Sequence, residues 1–318
     1  MPPLFPPIPA AVWLPFLTST PRLLKSWPRA YGGEARATDA ILNDPKIDAV
    51  LIATSTDTHS DLIERATAAV KAVLCEKPVD LSLARVQACQ KAVAKTGRPV
   101  MIGFNRRFDP NFAALKAALD KGEIGKPELL SITSFDPAPP PVAYIKVSGG
   151  LFRDMTIHDF DMANFIMGAA PVAVTAVGSS IVDAAIGQAG DVDTAVVTLT
   201  YADGRIAVIK NSRWATYGYD QRVELLGSEG LLQAQNMLEN TVVKSTTAGV
   251  TGAKPTYFFL ERYMAAYAAE WAAFVQAVNA GSPVPVTLED GIAALAMAEA
   301  ATLSAKSGAP VTLANVVG

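Results

Sequence analysis

The run Asp48–Pro78, DAVLIATSTDTHSDLIERATAAVKAVLCEKP, decides the fold. It opens on an apolar stretch, DAVLIAT, and passes through the polar turn STDTHS. An amphipathic stretch near Asp61–Val70 follows, and the run closes on a second apolar stretch, AVLCEKP. Short apolar runs bounded by turn residues suit strands buried on both faces, and the stretch between them has helical spacing. Strand, helix and strand in this order imply parallel strands joined by a right-handed crossover. The pattern continues with a helix near Ser82–Lys95, the strand RPVMIGF and a helix near Pro110–Asp120. Such sheets bind ligands beyond the carboxyl ends of their strands. Those ends carry Thr54-Ser55-Thr56, Glu76-Lys77-Pro78 and Asn105-Arg106-Arg107.

Lys77 stands out, because it follows a buried strand and precedes a proline. A cis bond at Pro78 would direct its side chain into the crevice, whereas a solvated lysine in a turn is the plainer reading. An Arg-Arg pair such as Arg106-Arg107 commonly supplies one solvated arginine and one ion pair. His59, at the start of a helix, reads equally as a neighbour of the cap and as a ligand contact.

Beyond Gly125 the texture changes. KPELLSITS reads as a strand, and the loop DPAPPPVAYIKVSGG leads to GGLFRDMTIHDFDMANFIMG. From Pro171 onward the strands are longer and separated by hairpin signals, with Asp203-Gly204 between two of them. Alternation at Thr194, Val196, Thr198 and Thr200 fits an antiparallel sheet with one face covered. Two helices, near Tyr257–Ala280 and Leu288–Ser307, close the chain.

The stretch Gly149–Gly168 holds His158, one of two histidines in 318 residues. On a single helix Asp154, His158, Asp161 and Phe165 would share one face, and the two glycines ahead would let backbone approach a ligand. The plain alternative is a capping Asp154 with a core histidine bonded to it. Inward-facing carboxylates cost several kcal/mol unless paired, so two on one stripe favour function. A metal site is disfavoured, because one further histidine and two separated cysteines are all that remain to complete it.

Half the residues are hydrophobic, 18% are charged and the formal net charge is −3, which gives no basic footprint for nucleic acid or an anionic membrane. Cys75 and Cys89 read as reduced thiols of a cytoplasmic protein. Residues 1–20 are apolar, but their prolines and the lack of any basic residue before Arg22 argue against both a signal peptide and a membrane anchor.

EKP after a strand, GFNRRFDP after the next, GGLFRDMTIHDFDMANFIMG, YGYDQRVELLGSEG and LEDGIAALAMAEAA together resemble the Gfo/Idh/MocA oxidoreductases, and within them the inositol 2-dehydrogenase branch. The likeness runs from about Tyr31 to the C-terminus. It implies an α/β protein: an incomplete Rossmann-like parallel-sheet domain over residues 31–122, then an α+β domain over 123–318. The second domain would hold a large open, mainly antiparallel sheet, with C-terminal helices packing back on the first. The resemblance further implies NAD as cofactor, with NADP not excluded, and a homo-oligomer, tetramer or dimer. The substrate would be a cyclic polyol or sugar, foremost myo-inositol.

Residue by residue, the resemblance makes Lys77, Asp154 and His158 catalytic. It makes Arg106, Asp161 and Tyr217 polyol contacts, and Thr54, Ser55, His59, Glu76 and Lys77 cofactor contacts. The chemistry is consistent with this set. Oxidising a secondary alcohol needs a base of near-neutral pKa at the hydroxyl, a carboxylate to orient it and a cation to meet negative charge on oxygen.

One departure is plain. The G-x-G-x-x-G fingerprint is absent, and Gly32 and Gly33 are the only glycines before Asp48. Cradling a pyrophosphate at a helix start needs that motif. The expectation is therefore a Pro-rich leader over 1–30 in place of the usual start, by frameshift or misassigned initiation, with weak or no cofactor binding. The competing expectation is a non-catalytic polyol-binding or oligomer-forming relative. A dehydrogenase of another sugar remains a third.

Overall fold

The computed structural model describes residues 36–317, so expectations for the leader lie outside the described residues. The chain divides into two compact units. One takes the chain up to Phe104 together with Ala268–Ile292; the other takes Asn105–Tyr267 and the chain from Ala293 onward.

In the first unit, α1 (Thr38–Leu42) precedes β1 (Ala49–Ile52), α2 (His59–Ala68), β2 (Ala72–Glu76), α3 (Leu83–Ala94) and β3 (Val100–Gly103). The three strands pair in parallel in the order β1-β2-β3. β2 and β3 are buried throughout, apart from the half-buried Glu76, as their unbroken apolar sequence requires. Ser82 caps α3 by accepting from the Arg85 N–H.

In the second unit α4 (Pro110–Asp120) leads to β4 (Pro127–Phe135), α5 (Val142–Ser148), α6 (Gly150–Asp154) and α7 (Thr156–Met167). Then follow β5 (Ala173–Ser179), α8 (Ala184–Gln188), β6 (Thr194–Thr200), β7 (Ile206–Ser212), β8 (Asp220–Gly227) and β9 (Gly230–Ala234). A small hairpin, β10 (Lys244–Thr246) with β11 (Gly249–Thr251), precedes α9 (Phe259–Ala280), α10 (Leu288–Ser307), β12 (Val311–Thr312) and α11 (Ala314–Val317). The main sheet has seven strands in the order β12-β5-β6-β7-β4-β8-β9. Its pairs are antiparallel except β4 with β7, which is parallel. It is thus a mixed sheet rather than a wholly antiparallel one.

Alternation along β6 buries Ala195, Val197 and Leu199 and leaves Val196 and Thr200 exposed. The helix α7 covers the buried face over β4 and β7. On the other face Ile206, Leu129, Leu226 and Leu231 form a row of exposed apolar side chains on paired neighbours.

Three expectations are corrected. The helix α4, expected to close the first domain, belongs to the second unit because it packs against β9. The segment expected as a loop contains α5, since no proline follows Pro141 and helix is open to VAYIKVS. The single histidine helix is two, because the chain breaks at Met155 between α6 and α7. Asp154 therefore ends one helix while His158, Asp161 and Phe165 lie on the next.

Candidate active site

The first unit presents its polar residues at the ends of β1 and β2. The Lys77–Pro78 bond is cis, as the sequence suggests. Lys77 is half-buried, as is Thr54, whose hydroxyl lies 2.6 Å from that of Thr58; Ser55 is exposed. His59, expected as a cofactor contact, has a buried ring, with Nδ1 2.8 Å from the Pro78 carbonyl oxygen and Nε2 3.0 Å from that of Thr54. It ties the turn after β1 to the turn after β2, and so contributes through the loops it holds. Beside it, Ser60 donates to Asp80 at 2.6 Å, a second tie to the same loop. Burial pushes the Glu76 carboxyl up from its usual range, while the adjacent Lys77 ammonium opposes the shift. Gly103 lies directly against this residue; an added Cβ would stand 3.2 Å from Glu76 Cα. These accessible hydroxyls and an ammonium at the carboxyl ends of parallel strands suit the hydroxyl and amide groups of a nicotinamide nucleotide.

The second unit holds a buried polar centre. Asp159 accepts from Arg106 Nη1 at 2.5 Å and from the Ser134 hydroxyl at 2.6 Å on one oxygen, and from Asn211 Nδ2 at 2.7 Å on the other. Asn211 in turn accepts from the Thr156 hydroxyl at 2.8 Å. Arg107 binds both oxygens of Asp161 through Nε and packs its guanidinium over the Phe165 ring, 5.2 Å from the centroid. Both arginines of the pair are therefore ion-paired, and neither is the solvated member expected. The expected polyol contacts Arg106 and Asp161 are buried with their charges already met. Tyr217 is exposed and donates to Asp220 at 2.7 Å, a contact that, after burial, helps push its phenol up to about 12.

Around Asp154 the arrangement is different. Its carboxylate accepts from the Tyr144 hydroxyl at 2.9 Å and faces Arg213 Nη2 at 3.5 Å. Burial, and then Asp154 itself, raise the pKa of the Tyr144 phenol, which keeps it a donor. His158 is half-buried in the first turn of α7, the helix that follows. Asp136, at the end of β4, has its backbone fixed by Ser212 and Ala215. Loss of solvation pushes its carboxyl up to about 6, with Arg213 and Arg106 pulling the other way. Gly150, one of the two glycines expected to let backbone approach a ligand, lies against Asp191, whose carboxylate accepts from the Leu151 N–H at 3.0 Å.

Asp136, Asp159, Asp191, Asn211 and Arg213 were not singled out by motif. Two of them were signalled. Asn211 and Arg213 continue the alternation that buries Ala207 and Ile209, so polar groups fall at positions where β7 buries its side chains. Among the described residues no group of three or more His, Cys, Asp or Glu side chains could hold a metal ion, and no helix is long and apolar enough to cross a membrane.

Compared with known families, residues 21–104 match the NAD-binding Rossmann fold of an oxidoreductase family, and residues 116–313 match that family's C-terminal alpha/beta domain. The chain is 51% identical over 285 residues to an inositol 2-dehydrogenase of Rhizobium meliloti, covering 90% of this chain and 86% of that protein. A myo-inositol dehydrogenase structure from Corynebacterium glutamicum superposes with a TM-score of 0.88 at 44% identity, covering 92% of this chain and 88% of that one. A scyllo-inositol dehydrogenase from Lactobacillus casei, solved with NAD(H) and scyllo-inositol bound, gives a TM-score of 0.86 at 30% identity, covering 93% and 90%.

Proposed function

The chain belongs to the Gfo/Idh/MocA family of oxidoreductases, and from that premise we propose that it oxidises myo-inositol to its 2-keto product with NAD as hydride acceptor. The observation that carries the reading is the partly accessible His158 on α7, with an aspartate held by Tyr144 and Arg213 at the end of the preceding helix. Its relatives named inositol dehydrogenases, at up to about half identity, support the substrate class.

In this reading the His158 imidazole takes the proton from the reacting hydroxyl, and Asp154 orients the ring and stabilises its charged form. Lys77 meets the negative charge that grows on the oxygen. Bound NAD supplies the acceptor for the hydride that leaves the same carbon. Thr54, Ser55 and Glu76 line the cofactor side, and His59 shapes it through the backbone it ties. Tyr217 is the polyol contact with an accessible hydroxyl, while Arg106 and Asp161 set the shape of the pocket from within. Hydroxyl-by-hydroxyl hydrogen bonding discriminates among polyols far better than apolar fit, because an unmatched buried polar group is costly.

The exposed row Ile206, Leu129, Leu226 and Leu231 supports assembly into a homo-oligomer, tetramer or dimer, through the open sheet. Leu226→Asp should then lower the particle mass in sedimentation velocity; an unchanged mass would place the contact elsewhere. Two buried thiols, Cys75 and Cys89, support a cytoplasmic setting.

The deciding experiment follows NADH absorbance with the purified chain and a panel of myo-inositol, scyllo-inositol and hexoses. The highest kcat/KM is expected for myo-inositol. Reduction driven best by a hexose would move the substrate, and polyol binding by calorimetry without any NADH would identify a binding protein.

A further inference from the structure

We propose that Arg213 and Asp191 form a positioning bracket for Asp154, clamping both ends of the short helix α6 so that the carboxylate keeps one orientation during turnover. The proposal rests on the assignment of Asp154 to catalysis.

A helix of five residues does not hold itself together, since nucleation fixes several dihedral angles for one hydrogen bond. Its geometry must come from its surroundings. At the N-terminal end the Asp191 carboxylate accepts from the Leu151 N–H with both oxygens, at 3.0 and 3.1 Å. Gly150 makes that possible: its φ is +83°, and a Cβ there would stand 2.6 Å from Asp191 Oδ1. The turn that carries Asp191 is itself fixed, because buried Asp193 accepts from the N–H groups of Ile181, Val182 and Asp183. At the C-terminal end Asp154 lies between the Tyr144 hydroxyl and Arg213.

One cation joins the two ends. The Arg213 side chain is only 1% exposed, and its Nη2 lies 3.5 Å from Asp154 and 3.8 Å from Asp191. Its backbone N–H donates to the Asp193 carbonyl at 2.8 Å, which ties β7 to the same turn. Nε and Nη2 have no hydrogen-bond partner, so charge rather than the fork geometry of the guanidinium links it to the two carboxylates. A buried cation needs such counter-charges to be tolerated at all. Arg153, paired with Glu299, and buried Leu151 and Phe152 also anchor α6, so removing either member would loosen the carboxylate rather than release the helix; misplacement of a reacting group by about 1 Å can cost roughly 10²-fold in rate.

The test compares Asp191→Asn, Arg213→Gln and Arg213→Lys with Asp154→Asn in the full chain, reading kcat, both KM values and Tm. We expect Asp191→Asn to lower kcat about 10-fold and Arg213→Gln about 30-fold or more, with the KM values for NAD and myo-inositol within about twofold. Arg213→Lys, which keeps the charge, should recover to within about fivefold of wild type. Wild-type kcat in Asp191→Asn overturns the bracket. So does a loss in Arg213→Lys as large as in Arg213→Gln. If Arg213→Gln does not fold, Asp191→Asn and Arg213→Lys decide between them. Full turnover in Asp154→Asn would show a different failure: it removes Asp154 from the reaction, and the bracket's role goes with it, whatever the other variants do.

Discussion

Asp159 and Asp154 lie close in sequence and meet arginines in opposite ways. Asp159 is fully buried and its oxygens accept from Arg106, Ser134 and Asn211 at 2.5–2.7 Å. Asp154 keeps 15% of its side chain exposed, and its arginine stands at 3.5 Å. The first is a closed knot at hydrogen-bond distance, as an ion must be when no water reaches it. The second accepts one hydrogen bond, from Tyr144 at 2.9 Å, and meets its arginine at longer range, at the edge of solvent. The difference teaches that a buried Arg–Asp pair is not by itself a sign of function; tightness and access separate the structural knot from the candidate catalytic group.

The largest expected effect lies on the accessible side. His158→Ala should lower kcat by about 10²–10⁴-fold with NAD affinity unchanged in a fluorescence titration. Retained turnover would erase the contrast, since neither aspartate would then serve a base.

On the closed side, Asp159→Ala leaves Arg106 buried without its counter-charge. That should cost about 3–5 kcal/mol, seen as a Tm lower by roughly 10 °C in calorimetry. A Tm within a degree or two of wild type would mean that the knot is not what holds this part of the second unit.

Asp161 sharpens the comparison from the middle ground. Asp161→Asn should weaken the bidentate contact with Arg107 and lower Tm, with KM for myo-inositol changed by no more than about threefold. A KM rise of tenfold or more would make Asp161 a direct polyol contact rather than part of the pocket's frame.

The smallest effect is expected at Asp136, and its sign follows from linkage. Its folded pKa is raised, from 3.8 to about 6, so its contribution to stability is complete below pH 3.8 and is lost as pH rises through 6. Asp136→Asn, which mimics the neutral form, should therefore raise Tm by about 2–4 °C above pH 6, with the gain vanishing near pH 4. A gain that is the same at both pH values would assign the effect to packing.

Much of this was legible in the sequence, and the limits have physical causes. The parallel sheet was readable because β2 and β3 are buried on both faces, which leaves no alternative to apolar runs such as AVLCE and VMIG. The open sheet was readable from period-two alternation in β6 and β7. The break at Met155 was not, because helical spacing is continuous across it and no glycine or proline marks it. Apart from Tyr144 on α5, the partners of Asp154 and Asp159 come from parts of the chain tens of residues away. No local pattern announces such pairings, and only the buried parity of Asn211 and Arg213 hinted at them. His59 was ambiguous for a related reason: an imidazole next to a helix start looks the same in sequence whether it faces a ligand or two carbonyls.

The place of β4 in its sheet has a consequence for how the chain is made. β4 is flanked by β7, in parallel, and by β8, so the strand Pro127–Phe135 finds its neighbours only in Ile206–Ser212 and Asp220–Gly227. At about 5–20 residues per second, the ribosome leaves β4 without its neighbours for roughly 5–20 s after it is synthesised. During that interval a strand with two unpaired edges is present in the nascent chain, and α7, which packs on β4 in the folded protein, is made before either neighbour. The parallel pairing that helps set the polar centre therefore waits until Ile206–Ser212 has been made, and the second edge of β4 stays open until Asp220–Gly227 follows.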